Sequence, residues 1–68
     1  MEIFKLNSDY IELCSLLKVT GPMLSGGEAK HVISEGLVTV DGQVETRKKC
    51  KIHAGKTINY QKFTIKVE

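Results

Sequence analysis

A short run of basic residues past the middle of the chain is the feature of this sequence best suited to bind a ligand. Arg47, Lys48, Lys49 and Lys51 lie within five consecutive positions. Lysine and arginine contacts to phosphate supply the sequence-independent part of nucleic-acid affinity. The alternative is a solvated edge strand, on which lysines discourage pairing between sheets. The run therefore predicts a phosphate-binding surface or a protected sheet edge.

The spacing of these cations matters because alternate side chains of an extended segment face opposite ways. Arg47, Lys49 and Lys51 would then project from one face about 6–7 Å apart, a spacing comparable to the phosphate repeat of a nucleic-acid strand. Lys48 and Cys50 would fall on the other face, with Cys50 directed toward the core and Lys48 at its rim. We expect the first three residues to contact phosphates.

The distribution of charge along the chain supports a basic face. The 68 residues carry a net charge of only +2. Residues 1–45 hold three lysines against seven acidic residues, a net −4, whereas residues 46–68 hold seven cations against Glu68, a net +6. Such asymmetry indicates a basic surface. The length of 68 residues predicts one domain, residues 1–68, with little room for a catalytic cleft.

A second candidate site lies at the predicted start of the second helix. Ser25, Gly26 and Gly27 would leave backbone N–H groups uncovered there, and such groups attract phosphate. Lys30 and His31 follow about one turn later and would flank the site. The glycines equally well serve only to let the chain turn tightly into the helix, and the Glu28 carboxylate would compete for the same donors.

Other chemistry is not indicated. No Walker-type loop or G-x-G-x-x-G follows a strand. Cys50 and His53 have C-x-x-H spacing, but Cys14 and His31 offer no clear second pair of zinc ligands. We therefore expect no catalytic residues, metal, cofactor or small-molecule substrate. The chain has no long apolar run or secretory leader and too few cysteines for a disulfide framework, so we expect a cytoplasmic protein without a membrane partner.

The elements that must position the cations are short. Asp9 and Glu12 form a variant capping box that predicts a helix to about Lys18, with an apolar stripe that includes Tyr10. The predicted second helix runs from Ser25 to Gly36. Strands are predicted at residues 3–6, 37–40, 43–45, 51–52, 57–60 and 63–67, with a hairpin turn at Asp41-Gly42. Val38, Val40 and Val44 are expected on the buried side of the hairpin, and Tyr60 and Phe63 are expected to face inward.

This order predicts an α+β fold in which two short helices pack on a small, mostly antiparallel β-sheet. The stretch from Glu12 to Tyr60 resembles the RNA-binding domain of ribosomal protein S-four, the alpha-L motif. The resemblance rests on Leu13 and Leu17, the pattern from Ser25 to Gly36, Val40-Asp41-Gly42, and Gly55 with Ile58. The run from Val40 to Ile52 is closer still to the small stand-alone bacterial members, the YbcJ/YaaA-like group.

The resemblance implies a helix pair and an adjacent loop that grip structured RNA. Three positions depart from the wider family, because its usual arginines are Glu12, Gly26 and Glu28 here. Those RNA contacts therefore cannot be transferred, and the basic charge lies instead at Arg47, Lys48, Lys49 and Lys51.

We accordingly expect a non-enzymatic RNA-binding protein. The resemblance favours ribosomal or transfer RNA, or a ribosomal precursor, as the partner. The alternative is a protein–protein adaptor associated with ribosome assembly or replication factors, with Glu12, Glu28 and Glu35 as its contact surface. DNA in place of RNA stays open, because a basic strand does not distinguish the two.

Overall fold

The computed structural model describes residues 2–20 and 26–68, in which two helices and seven strands occur. No helix within these ranges has the length and apolar character needed to cross a bilayer. In chain order the elements are β1 (Glu2–Phe4), β2 (Ile11–Glu12), α1 (Leu13–Val19), α2 (Gly26–Ser34), β3 (Val38–Val40), β4 (Gln43–Val44), β5 (Lys51–Ile52), β6 (Thr57–Tyr60) and β7 (Phe63–Val67).

The strands form a five-stranded sheet and a separate two-stranded ribbon. The order in the sheet is β1-β7-β6-β3-β4, with β1 parallel to β7 and the other pairs antiparallel. The ribbon pairs β2 with β5 antiparallel, with Ile11 opposite Ile52 and Glu12 opposite Lys51. The predicted fold class, two short helices with a mostly antiparallel sheet, is confirmed.

The core lies between the two helices and the sheet. Helical spacing places Leu13, Leu16 and Leu17 on one side of α1, and all three side chains are fully buried. Period-two alternation does the same for Ile58, Ile65 and Val67 in the strands. The remaining buried apolar side chains among the described residues are Ala29, Val32, Ile33, Val38 and Ile52.

The hairpin turn at Asp41-Gly42 also ties the hairpin to β6. Both residues have positive φ, 52° and 86°, as a type I′ turn requires. Asp41 Oδ1 accepts a hydrogen bond from the Thr57 backbone N–H (2.9 Å), and the Asp41 N–H donates to the Thr57 carbonyl (2.8 Å). Asp41 Oδ2 pairs with Lys56 Nζ at 3.3 Å. The turn predicted at Asp41-Gly42 is therefore confirmed. The Asp41 side chain also connects the hairpin to Lys56 and Thr57 by an ion pair and a hydrogen bond.

The first helix begins later than its sequence pattern predicts. Residues 11 and 12 are strand β2, α1 starts at Leu13, and the N-cap residue Glu12 makes no side-chain capping bond. The predicted Asp9 capping box is therefore wrong, and Tyr10 lies outside the helix. Pairing of β2 with β5 prevails over the local helix signal, because it lets Ile11 pack against the core beside the buried Ile52.

Two apolar residues expected on the inner side are exposed. Val44 is 62% exposed and Phe63 is 46% exposed, because β4 is a two-residue edge strand and Phe63 begins β7. Val38 is fully buried, whereas Val40 and Tyr60 are partly buried and pack against the core.

The second helix ends where its sequence predicts. Gly36 adopts φ 77°, its N–H donates to the Ile33 carbonyl, and the Leu37 N–H donates to the Val32 carbonyl, both at 3.1 Å. These two bonds form a Schellman motif, which satisfies carbonyls at the end of the helix. The predicted cap at Ser25 lies outside the described residues.

We predict that Gly36→Ala lowers the free energy of unfolding by about 1 kcal/mol, because an L-residue is strained at this φ. A Cβ at Gly36 would meet Val44 Cγ1 at 3.6 Å, an ordinary contact, so the cost is confined to the backbone. Urea denaturation measures it. Gly36→Asn is the matched control and should cost less, since asparagine tolerates this conformation; equal losses would contradict the backbone explanation.

Candidate nucleic-acid interface

Arg47 to Cys50 form a tight turn, the basic turn, between β4 and β5. The Cys50 N–H donates to the Arg47 carbonyl at 3.1 Å, and Lys48 and Lys49 occupy the central positions. The extended geometry predicted for residues 47–51 is therefore wrong over the turn. Four consecutive residues rich in cations reverse direction here instead of continuing as a strand.

The basic turn is docked on the N-terminus of α1 by two backbone hydrogen bonds. The Leu13 N–H donates to the Cys50 carbonyl (2.9 Å) and the Cys14 N–H donates to the Lys48 carbonyl (3.0 Å). The first N–H groups of a helix have no partner within the helix. Since Glu12 supplies no side-chain cap, the carbonyls of the turn supply capping bonds. The helix therefore fixes the turn from which the cations project.

The turn, and not an extended strand, brings the expected cations together. Arg47, Lys49 and Lys51 line one open cavity of about 430 Å³, together with Cys50. The lysine side chains are exposed, so their ammonium groups can reach an anion in this cavity. Lys48 is also exposed but does not line it. Arg47, Lys49 and Lys51 thus lie on one surface, as predicted. The alternation of side chains along an extended strand, from which this was predicted, does not occur.

Glu45 compensates one of the four cations. Arg47 Nε donates to Glu45 Oε2 (2.9 Å) and Arg47 Nη2 to Glu45 Oε1 (3.1 Å), a bidentate pair. The Arg47 backbone N–H also donates to Glu45 Oε2 at 3.0 Å. The Glu45 side chain is only 17% exposed, whereas that of Arg47 is 77% exposed. The guanidinium is therefore oriented by its carboxylate and still presents unused N–H donors to solvent.

This pair changes the acidity of its neighbours. The hydrogen bonds from the Arg47 side chain and backbone lower the pKa of Glu45 from 4.5 to about 2. Burial, followed by the nearby Glu45 carboxylate, raises the pKa of the Cys50 thiol. Cys50 is half-buried and packs against the core, so it remains a protonated thiol at neutral pH. This agrees with a packing role and not with a reactive thiolate.

A second open cavity, of about 390 Å³, adjoins the first and differs in charge. Arg47, Cys50 and Lys51 line both cavities, but the second also includes Asp41 and Glu45. The pKa of Asp41 is lowered by the Thr57 backbone hydrogen bond and by Lys56, so both carboxylates are ionised at neutral pH. Lys56 also lines the second cavity, so its charged residues sum to +1, against +3 in the first. The first cavity is therefore the better phosphate site.

The outer face of the β2–β5 ribbon adds aromatic residues next to the cations. Lys51 Nζ lies 5.0 Å from the centroid of the Tyr10 ring, and the Tyr10 and His53 rings are 6.0 Å apart at 53°. His53 Nδ1 lies 3.1 Å from the Asp9 carbonyl, which can only accept, so Nδ1 carries the proton. The sequence pattern predicted Tyr10 on a helix, so this cluster was not expected. The available signal was that Tyr10 and His53 each stand next to an isoleucine, Ile11 and Ile52, that faces the core.

The other predicted site residues that the structure describes lie on α2. Lys30 and His31 are exposed on this helix and do not line the 430 Å³ cavity. His31 Nε2 faces Glu35 Oε1 at 3.9 Å, one turn along. Gly26 begins the helix and Gly27 is exposed in its first turn, whereas Ser25 lies outside the described residues. No group of three histidine, cysteine or acidic side chains suited to a metal ion occurs within residues 2–20 and 26–68.

Sequence comparison assigns the chain to a family. The family model of the S4 domain matches residues 4–68, nearly the whole chain. The chain belongs to the S4 domain family. Two relatives named YbcJ, from Escherichia coli (strain K12) and Shigella flexneri, are each 52% identical over 58 residues, which is 85% of this chain and 83% of the relative.

A solved structure gives the same result. The solution structure of Escherichia coli YbcJ matches with a TM-score of 0.76 and 48% sequence identity, covering 98% of this chain and 86% of that one. That structure is described as revealing an alpha-L motif involved in RNA-binding. This S4 domain chain therefore has the alpha-L fold, and the predicted resemblance to this family and to its YbcJ-like members is confirmed.

We predict that Glu45→Gln makes stability less dependent on acid pH. A carboxyl whose pKa is lower in the folded chain stabilises the fold above its ordinary pKa and loses this effect as pH falls from about 4.5 toward 2. Urea denaturation at neutral and acid pH should show wild type more stable than the variant at pH 7, with the difference shrinking over this window. The other carboxyls titrate in both proteins and cancel. A difference that stays constant with pH would contradict the Glu45–Arg47 pair.

Proposed function

We propose that this S4 domain protein is a non-enzymatic RNA-binding protein whose phosphate-binding surface is the basic turn and Lys51. The observation that carries the proposal is the cavity of about 430 Å³ into which Arg47, Lys49 and Lys51 converge. Membership of the S4 domain family and the RNA-binding named for Escherichia coli YbcJ support RNA as the ligand. Structured RNA, ribosomal or transfer, is the favoured class, and a ribosomal precursor is one such partner.

The basic turn suits phosphate because it is both cationic and held in place. Residues 45–51 carry a net charge of +3, even with Glu45 included. The two hydrogen bonds to α1 order the backbone before any ligand arrives, which reduces the entropy lost on binding. The lysine side chains are exposed at the surface, so their ammonium groups stay partly hydrated when they contact phosphate and the desolvation cost is limited.

The predicted site residues contribute unequally in this proposal. Lys49 and Lys51 contact phosphate directly, and Lys48 contacts the strand outside the cavity. Arg47 binds through the N–H groups that Glu45 leaves unused, because a guanidinium has five donors in a planar fork. Lys30, His31 and the Ser25-Gly26-Gly27 backbone form the flanking surface that structured RNA would reach.

We predict that Lys49→Ala/Lys51→Ala weakens binding to a transfer RNA transcript and flattens its salt dependence. Wild type neutralising about five phosphates should give a slope of log K against log salt of about −3.5 to −4.5, and loss of two contacts should reduce this by about 1.4–1.8. Gel-shift titrations between about 50 and 200 mM salt measure both quantities.

The matched control is Lys62→Ala/Lys66→Ala, which removes the same charge from exposed positions in and before β7. This control should bind nearly as wild type does. Equal losses in the two double variants would indicate non-specific charge attraction, and tight binding by wild type without salt dependence would contradict the proposed phosphate site.

We further predict that Glu45→Gln increases RNA affinity. The substitution removes a carboxylate that lies against Arg47 and would repel a phosphate bound there, so affinity should rise. The number of phosphate contacts, and with it the salt slope, should stay the same. The same titration at neutral pH measures both quantities, and unchanged affinity would exclude Arg47 from the interface.

A further inference from the structure

The outer face of the β2–β5 ribbon carries an aromatic pair that the phosphate contacts leave unused. In an antiparallel pair with Ile11 opposite Ile52, the next residues outward are Tyr10 and His53. Ile52 is buried, so the neighbouring residues in each strand face the opposite way, toward solvent. Tyr10 and His53 are both exposed, and their ring centroids are 6.0 Å apart.

Tyr10 is not part of the hydrophobic core. The residue is 38% exposed and is absent from the apolar residues that pack against the described core. Its neighbour Ile11 is among those residues, so the chain buries one side of β2 and presents the other. The Tyr10 ring therefore lies partly exposed beside His53, with the Lys51 ammonium over it and the proposed phosphate site next to it.

Lys51 connects this surface to the cavity of the basic turn. Its side chain lines the cavity, yet its ammonium lies 5.0 Å from the Tyr10 ring centroid. The two residues are diagonal neighbours across the ribbon, a separation that long side chains span. One lysine can therefore contact a phosphate while the base of the same nucleotide, or of the next one, lies against Tyr10.

We propose that Tyr10, supported by His53, stacks an unpaired RNA base whose phosphate is bound by Lys51 and the basic turn. All four nucleobases can stack on an aromatic side chain, so the site selects unpaired nucleotides and not a particular sequence. The hydrogen bond from His53 Nδ1 to the Asp9 carbonyl holds the His53 ring beside Tyr10. Lys51 moves from the ring to the phosphate as the base enters. This inference rests on the proposed RNA-binding function.

Binding of two hairpin RNAs tests the proposal. One hairpin carries an unpaired loop, and the other has abasic residues through the same loop, so that every phosphate stays and only the bases are lost. Tyr10→Leu should bind the first hairpin about 5- to 150-fold more weakly than wild type does, the range expected for one stacked base. Its salt slope should not change, because no phosphate contact is removed.

Two comparisons separate stacking from a structural effect of the substitution. Tyr10→Phe keeps the ring and should bind both hairpins nearly as wild type does. On the abasic hairpin, Tyr10→Leu and wild type should bind equally. In wild type, the ring proton resonances of Tyr10 should shift on addition of the loop hairpin, whereas those of the partly buried Tyr60 should not.

The outcomes also distinguish this inference from the proposed function. Salt-dependent binding of wild type to both hairpins, with no loss in Tyr10→Leu, would overturn the base site and leave the phosphate site standing. An equal loss in Tyr10→Leu on both hairpins would also overturn it, since the tyrosine would then act only by positioning Lys51. Failure of wild type to bind either hairpin would overturn the RNA-binding function itself.

Discussion

Two backbone hydrogen bonds between the start of α1 and the basic turn determine the geometry of the candidate site. The Leu13 and Cys14 N–H groups need partners at the helix N-terminus, and the Cys50 and Lys48 carbonyls need partners in a turn with little pairing of its own. The N–H groups of the helix and the carbonyls of the turn therefore become each other's hydrogen-bond partners. The bonds use only main-chain atoms of the turn, so the Lys48 and Lys49 side chains are left to solvent. Packing of Leu13 and Ile52 in the core holds both segments at this distance.

The basic turn and Lys51 place four like charges close together, and two features reduce the repulsion between them. Cations at adjacent positions repel one another, and a flexible loop would separate them. Here Glu45 compensates Arg47 from a largely buried position, while the turn directs Lys48 and Lys49 into water, where their repulsion is screened. The site is therefore a partly neutralised cationic surface, in which one carboxylate orients the arginine and limits the net charge.

The sequence predicts much of the fold because most elements carry local signals that tertiary structure does not oppose. The Asp41-Gly42 turn and the Gly36 helix end are such cases, since both depend on residues that tolerate positive φ. The start of α1 was predicted incorrectly for the opposite reason. Residues 9–12 satisfy a helix pattern, but their pairing with β5, forty residues away in the chain, buries Ile11 in a ribbon. No local pattern in residues 9–12 specifies that pairing.

The candidate site shows the same division between local and non-local information. The presence of the cations and their closeness could be predicted from the sequence, because residues within five consecutive positions cannot lie far apart. Their orientation could not, since it depends on a turn whose stabilising partner is a helix elsewhere in the chain. Tyr10 and His53 illustrate the point most clearly, because they become neighbours only once β2 and β5 pair. A ribbon of two two-residue strands thus determines both how the turn is anchored and which side chains lie beside its cations. The proposed function therefore depends on the pairing of β2 with β5.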